Sequence, residues 1–154
     1  PLASYVEFNH EAIREMMTHP RTVLGLSDGG AHCGLICDAS MPTYLLTHWV
    51  RDRTRGPRLP IEQVVSLQTS RTARTYGLTD RGTIETGMRA DLNLVDLDGL
   101  RLHMPEMVFD LPAGGRRLVQ HVDGYVGTFV AGVQTLANGE LTGERPGRLV
   151  RAGH

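Results

Sequence analysis

Cysteine is nearly absent. Two thiols, Cys33 and Cys37, occur in 154 residues. That is too few for a disulfide framework to hold a chain of this size, and it reads as two reduced thiols in a cytoplasmic protein. Their spacing is wider than a zinc knuckle's, so a half zinc site is the sharper but weaker alternative. No apolar run approaches the ~18–20 residues that span a bilayer, which gives no reason to expect a membrane. The opening PLASYVEFNH has neither the basic start nor the apolar segment of a secretion signal. A surplus of one charge is also missing. Net charge is -1 with both signs interspersed, and the lack of a basic face excludes nucleic acid as the expected partner.

Several catalytic signatures are missing too. G-x-S-x-G, the Walker A pattern and G-x-G-x-x-G do not occur. The histidines are His10, His19, His32, His48, His103, His121 and His154, and they form neither an H-x-H pair nor H-E-x-x-H. A catalytic zinc usually takes about three protein ligands, so a self-contained metal site is not expected. His10 and His19 read as solvated or capping residues. His48, in a helix beside Trp49, reads as packed or at the surface. The remaining composition, 40% hydrophobic and 21% charged, suits one globular domain or a piece of a larger one. The chain opens on Pro1 rather than Met, so further sequence upstream is expected.

Residues Asn9 to Thr18 read as a helix capped by Asn9, with Glu11 in its first turn, Ile13, Met16 and Met17 at helical spacing, and Pro20 as its stop. Thr22 to Ser27 has the length and bounding signals of a buried parallel strand. A polar, Gly-rich loop follows, Asp28-Gly29-Gly30-Ala31-His32. That order is the grammar of an α/β fold, in which loops after strands carry the chemistry. Met41 to Asp52 and Pro60 to Thr69 read as helices, and Arg71 to Tyr76 as a further turn or two ended by Gly77. The texture changes at residues 82–87. Ala90 to Asp96 alternates like a half-buried strand, and Tyr125–Val133 and Gln134–Leu141 read as strands, with turns at Ala131-Gly132 and Asn138-Gly139.

The loop at Asp28 is the candidate site. An Asp at the end of a buried strand is partly desolvated and keeps its charge only beside a metal or hydrogen-bond donors. Paired glycines let backbone approach a ligand, and His32 can face the same pocket. The competing reading is a capping or turn Asp with no catalytic role. Cys33 beside His32 also raises a thiol nucleophile, although adjacent residues generally point apart.

Residues His19 to His32, HPRTVLGLSDGGAH, resemble the last barrel strand of the N-acyl-D-amino-acid deacylases (D-aminoacylases) of the metal-dependent amidohydrolase superfamily. Tyr76 to Leu92, YGLTDRGTIETGMRADL, resembles that superfamily's return from barrel to β-sandwich. Asp110–Leu118 and Thr142–Arg151 are similar to the D-aminoacylase branch. The resemblance implies an α/β part followed by a mostly β part. The first, residues 1–84, would be the last strand and helices of a (β/α)₈ barrel. The second, residues 85–154, would be the C-terminal part of a small composite β-sandwich.

It also implies a zinc enzyme that hydrolyses linear amides of small N-acyl amino acids. Asp28 would be general base and acid on a metal-bound water, with a direct metal contact also open to it. Gly29, Gly30 and His32 would be substrate-binding. The family's other metal ligands have no counterpart here, and a whole barrel needs ~200–250 residues. The isolated chain is therefore expected to be inactive, to bind no tight zinc, and to pair as a homo-oligomer, most simply a dimer through strands or the 41–69 helices. The rival readings are a cyclic-amide hydrolase of the dihydropyrimidinase or hydantoinase type, a non-catalytic binding or assembly domain, and a cysteine enzyme at Cys33.

Overall fold

The computed structural model describes residues 9–25 and 28–150. Helices come first and antiparallel strands second. Helix α1 spans His10–Thr18. Asn9 caps it from an extended backbone, its side-chain oxygen accepting from the Glu11 N–H at 2.9 Å. His19, held extended ahead of Pro20, ends it.

Among the described residues the expected buried strand is not formed. Residues 22–25 have no strand pairing, and Leu26 and Ser27 lie outside the described residues. The physical reason is plain: a parallel strand needs a neighbour, and among the described residues no strand occurs before Leu92. Leu24 packs instead on the helical core.

The helix expected over 41–52 forms with a change of winding. Met41–Tyr44 is a short α-helix, α2, and Leu45–Asp52 continues it as a π-helix. The Arg53 N–H closes that stretch on the His48 carbonyl at 2.9 Å, five residues back. The wider turn lets Tyr44 stack flat on His48, ring centroids 4.9 Å apart. Leu45 and Trp49 face inward with Leu59 and Val64, and Ile13, Met17 and Val50 close the edges of this core. Val64 and Leu67 come from α3, Ile61–Gln68. Helix α4, Ser70–Thr75, follows and ends near Gly77, whose φ of +69° suits glycine. Arg53 is buried beneath this core. It lies 4.5 Å over the Trp49 ring, pairs with Glu11, and donates to the Pro57 carbonyl at 2.8 Å.

Residues 76–91 are turns knotted around Asp91. Its carboxylate accepts from Arg81 at 3.0 Å, Arg89 at 2.9 Å and the Ala131 N–H at 2.8 Å. Then come β1 Leu92–Val95, β2 Arg101–Leu102, β3 Glu106–Leu111, β4 Gly115–Val119, β5 Val122–Asp123, β6 Tyr125–Val130, β7 Val133–Ala137 and β8 Glu140–Leu141. One sheet runs in the order β1-β6-β7-β8, and two smaller pairs are β2-β5 and β3-β4. Ala131-Gly132 and Asn138-Gly139 make the tight turns, all four residues at positive φ. The two long strands expected over 125–141 are therefore three shorter ones. Strand β1 was expected half-buried, yet Leu94 is 58% exposed, because among the described residues no second layer covers that face.

Among the described residues, five hydrogen bonds join the helical part to the strands. Arg51 donates to the Leu97 and Asp98 carbonyls. The Thr43 and Tyr125 hydroxyls meet at 2.9 Å. Ser40 donates to Gln120 at 2.5 Å, and the Leu118 N–H donates to the Cys33 carbonyl at 2.6 Å.

Candidate active site

The loop from Asp28 to Ala39 closes on itself. Asp28 donates its N–H to Asp38 Oδ1 at 2.7 Å, and the Asp28 carbonyl accepts from the Asp38 and Ala39 N–H groups at 3.0 and 2.9 Å. The two ends are so close that a Cβ on Gly29 would sit 2.8 Å from the Ala39 Cβ. Gly29 is needed for that approach. Gly30 is needed for its backbone, at φ +111° with open space around it. Midway, Cys33 is buried and its carbonyl is tied to β4 through Leu118.

Two of the expected residues meet. Asp28 Oδ1 lies 3.1 Å from His32 Nε2, and both side chains are well exposed, at 55% and 68%. The expected partial desolvation of Asp28 is thus not seen. The capping reading also finds no support: no helix begins in residues 28–40, and His32 is the side-chain partner its carboxylate has among the described residues. An exposed carboxylate with an imidazole at hand can take a proton from water and return it.

The cysteine reading does less well. Cys33 Sγ is 4.0 Å from His32 Nε2, the same nitrogen that faces Asp28, so no relay through the ring is laid out. Burial, then the neighbouring Cys37, Asp28 and Asp38, push the Cys33 thiol up, away from a thiolate. Nor do the described residues fit a metal on their own: no group of three or more His, Cys, Asp or Glu side chains converges among them. Asp28 and His32 are a donor pair at most.

Sequence reasoning missed Asp38. Its position ahead of Ser40-Met41-Pro42 reads as a helix approach, and its bond to Asp28 spans ten residues, beyond any local pattern. His48 sits where expected, packed against Tyr44, Trp49 and His10. Its Nε2 is buried without a partner among the described residues. Cleft size does not mark the site. A cleft of about 510 Å³ between Tyr44–Asp52 and Asp98–Leu102 is walled partly by Arg51 and Asp52, which bind each other at 2.6 and 2.9 Å.

An allantoinase from Streptomyces avermitilis is 32% identical over 111 residues, covering 66% of this chain and 22% of that protein. The chain thus spans under a quarter of the length of this curated relative. No solved structure matches it. The profile of the Amidohydrolase family matches residues 3–141, nearly the whole chain. The chain belongs to the amidohydrolase family.

Proposed function

We propose that this chain is the part of an amide-hydrolysing enzyme that carries its proton-transfer group, Asp28. One observation supports the reading above the others. The Asp28 carboxylate is exposed at the end of a closed, glycine-shaped loop and serves no cap and no Arg or Lys pair among the described residues. In such a hydrolysis a water oxygen bonds to the amide carbon while Asp28 accepts the water's proton. The carbon–nitrogen bond then breaks, and Asp28 passes that proton to the leaving nitrogen, giving a carboxylic acid and an amine. His32 holds the carboxylate in place or meets the substrate, and Gly29 and Gly30 let the substrate approach the backbone.

Residues 1–84 are proposed as the end of the barrel, and residues 85–154 as part of the β-sandwich. Zinc belongs to this reading through the resemblance; its ligands would come mostly from outside these residues. A homo-oligomer, or further chain, would complete the fold.

The substrate class rests on two different supports. The resemblance of residues 19–32, 110–118 and 142–151 to D-aminoacylases favours linear N-acyl-D-amino acids. The similarity to an allantoinase favours a cyclic amide. A panel of N-acyl-D-amino acids, hydantoins and allantoin, assayed with the complete enzyme, separates them. Turnover of the N-acyl-D-amino acids is expected. Cleavage of the cyclic compounds alone would replace the branch assignment, and cleavage of none would sink the hydrolase reading.

A further inference from the structure

We infer that Asp38 is a positioning residue for Asp28. The inference rests on the proposed role of Asp28 and extends it to a residue ten positions on. Asp28 is the exposed start of a loop, and the described residues 22–25 ahead of it are unpaired. In a sheet, a neighbouring strand would accept its N–H and donate to its carbonyl. Here the segment 38–39 does both. The Asp38 carboxylate accepts the Asp28 N–H at 2.7 Å. The Asp38 and Ala39 N–H groups return two bonds to the Asp28 carbonyl, at 3.0 and 2.9 Å.

The backbone of Asp28 is thereby clamped on both its donor and its acceptor. Its χ1 axis is fixed relative to the start of α2, because the Asp38 carbonyl accepts from the Met41 N–H at 3.1 Å. The Gly29–Ala39 approach leaves no room for the clamp to slide. The Leu118–Cys33 bond pins the far side of the loop to the β3–β4 hairpin. Among these contacts, the Asp38 carboxylate is the one supplied by a side chain, and so the one that a substitution removes cleanly. A proton-transfer group must be held to within a fraction of an ångström, so loss of this acceptor should lower the chemical step more than substrate binding.

Four variants of the complete enzyme test this, each assayed on the panel compound that it turns over best. Asp38→Ala is expected to lower kcat on the order of 10–100-fold. Its KM should stay within about threefold, the pattern of an interaction used in the transition state. Asp38→Asn keeps an oxygen acceptor and should restore most of that loss. Combined with Asp28→Asn, Asp38→Ala should cost under about twofold more, because no carboxylate remains to be aimed. Losses that multiply independently would overturn the inference. So would a loss in folded Asp38→Asn as deep as that of Asp38→Ala. Should Asp38→Ala fail to fold, Asp38→Glu, which displaces the acceptor, gives the same comparison with and without Asp28→Asn. A normal kcat in Asp28→Asn would instead overturn the functional reading, and this inference with it.

Discussion

The residues before Thr75 and those after Leu92 bury their apolar side chains to very different degrees. Leu45, Trp49, Leu59, Val64 and Leu67 are all at or below 9% exposed, and even the charged Arg53 is enclosed. Beyond Leu92 the buried positions are Leu100 and Gly127. Leu94, Phe109 and Leu141 stand 58%, 68% and 83% exposed. The cause lies in the elements. A helix satisfies its own backbone and needs only one stripe covered, which three neighbouring helices can do. A sheet needs a facing layer, and the strands here make one layer of four plus two short pairs. The difference is that the helical part covers its own apolar stripe among the described residues, whereas the β part leaves an apolar face open.

The sharpest way to break this comparison is activity. The isolated chain is expected to show none on the amide panel and no stoichiometric zinc by metal analysis, while the complete enzyme shows both. Activity in the isolated chain would mean that the site is already whole. Next in size is stability. Trp49→Ala should cost about 3–5 kcal/mol in denaturant unfolding, whereas Met104→Ser, at a side chain 86% exposed in the β part, should stay within about 0.5 kcal/mol. Equal losses would erase the distinction between the two halves.

The uncovered strand face also predicts assembly. Light scattering on the isolated chain should find a dimer or larger, and Leu92→Lys with Leu94→Lys should shift it toward monomer. A compact monomer at every concentration would mean that the described residues need no cover. The smallest effect concerns pH. Burial first, then His10 and Arg53, hold the His48 imidazole below its ordinary value. The unfolded chain, with a value near ~6.5, therefore takes up this proton first as pH falls. The stability contributed by neutral His48 is complete above about pH 6.5 and is lost below it, until the folded imidazole also protonates. Melting temperatures at about pH 7.5 and about pH 5.5 should diverge more for the wild type than for His48→Gln, because only the wild type carries this linkage.

Where local chemistry decides structure, the sequence was readable. The Asn9 cap, the stop at Pro20, the helix over 61–68 and the turns at Ala131-Gly132 and Asn138-Gly139 all follow from a few adjacent residues. So does the meeting of Asp28 with His32, four residues apart. What was not readable depends on distant partners. The pattern of Thr22–Ser27 is a strand pattern, but residues 22–25 pair with nothing, since among the described residues no strand precedes Leu92. The β3–β4 hairpin was not anticipated, since Pro112–Gly115 turns through Ala113 at positive φ without an Asn-Gly signal. The π-helical winding of 45–52 and the Asp38 clamp are likewise set by tertiary contacts. Within the candidate site, the approach of His32 to Asp28 was legible and the Asp38 clamp behind it was not.

The central claim is that Asp28 moves the proton. Steady-state kinetics of Asp28→Asn in the complete enzyme test it most directly, because the amide keeps the shape and removes the proton acceptor. The account predicts a fall in kcat of at least ~10²–10⁴-fold, with substrate binding much less affected. A near-normal kcat would contradict it and return Asp28 to the role of a loop residue.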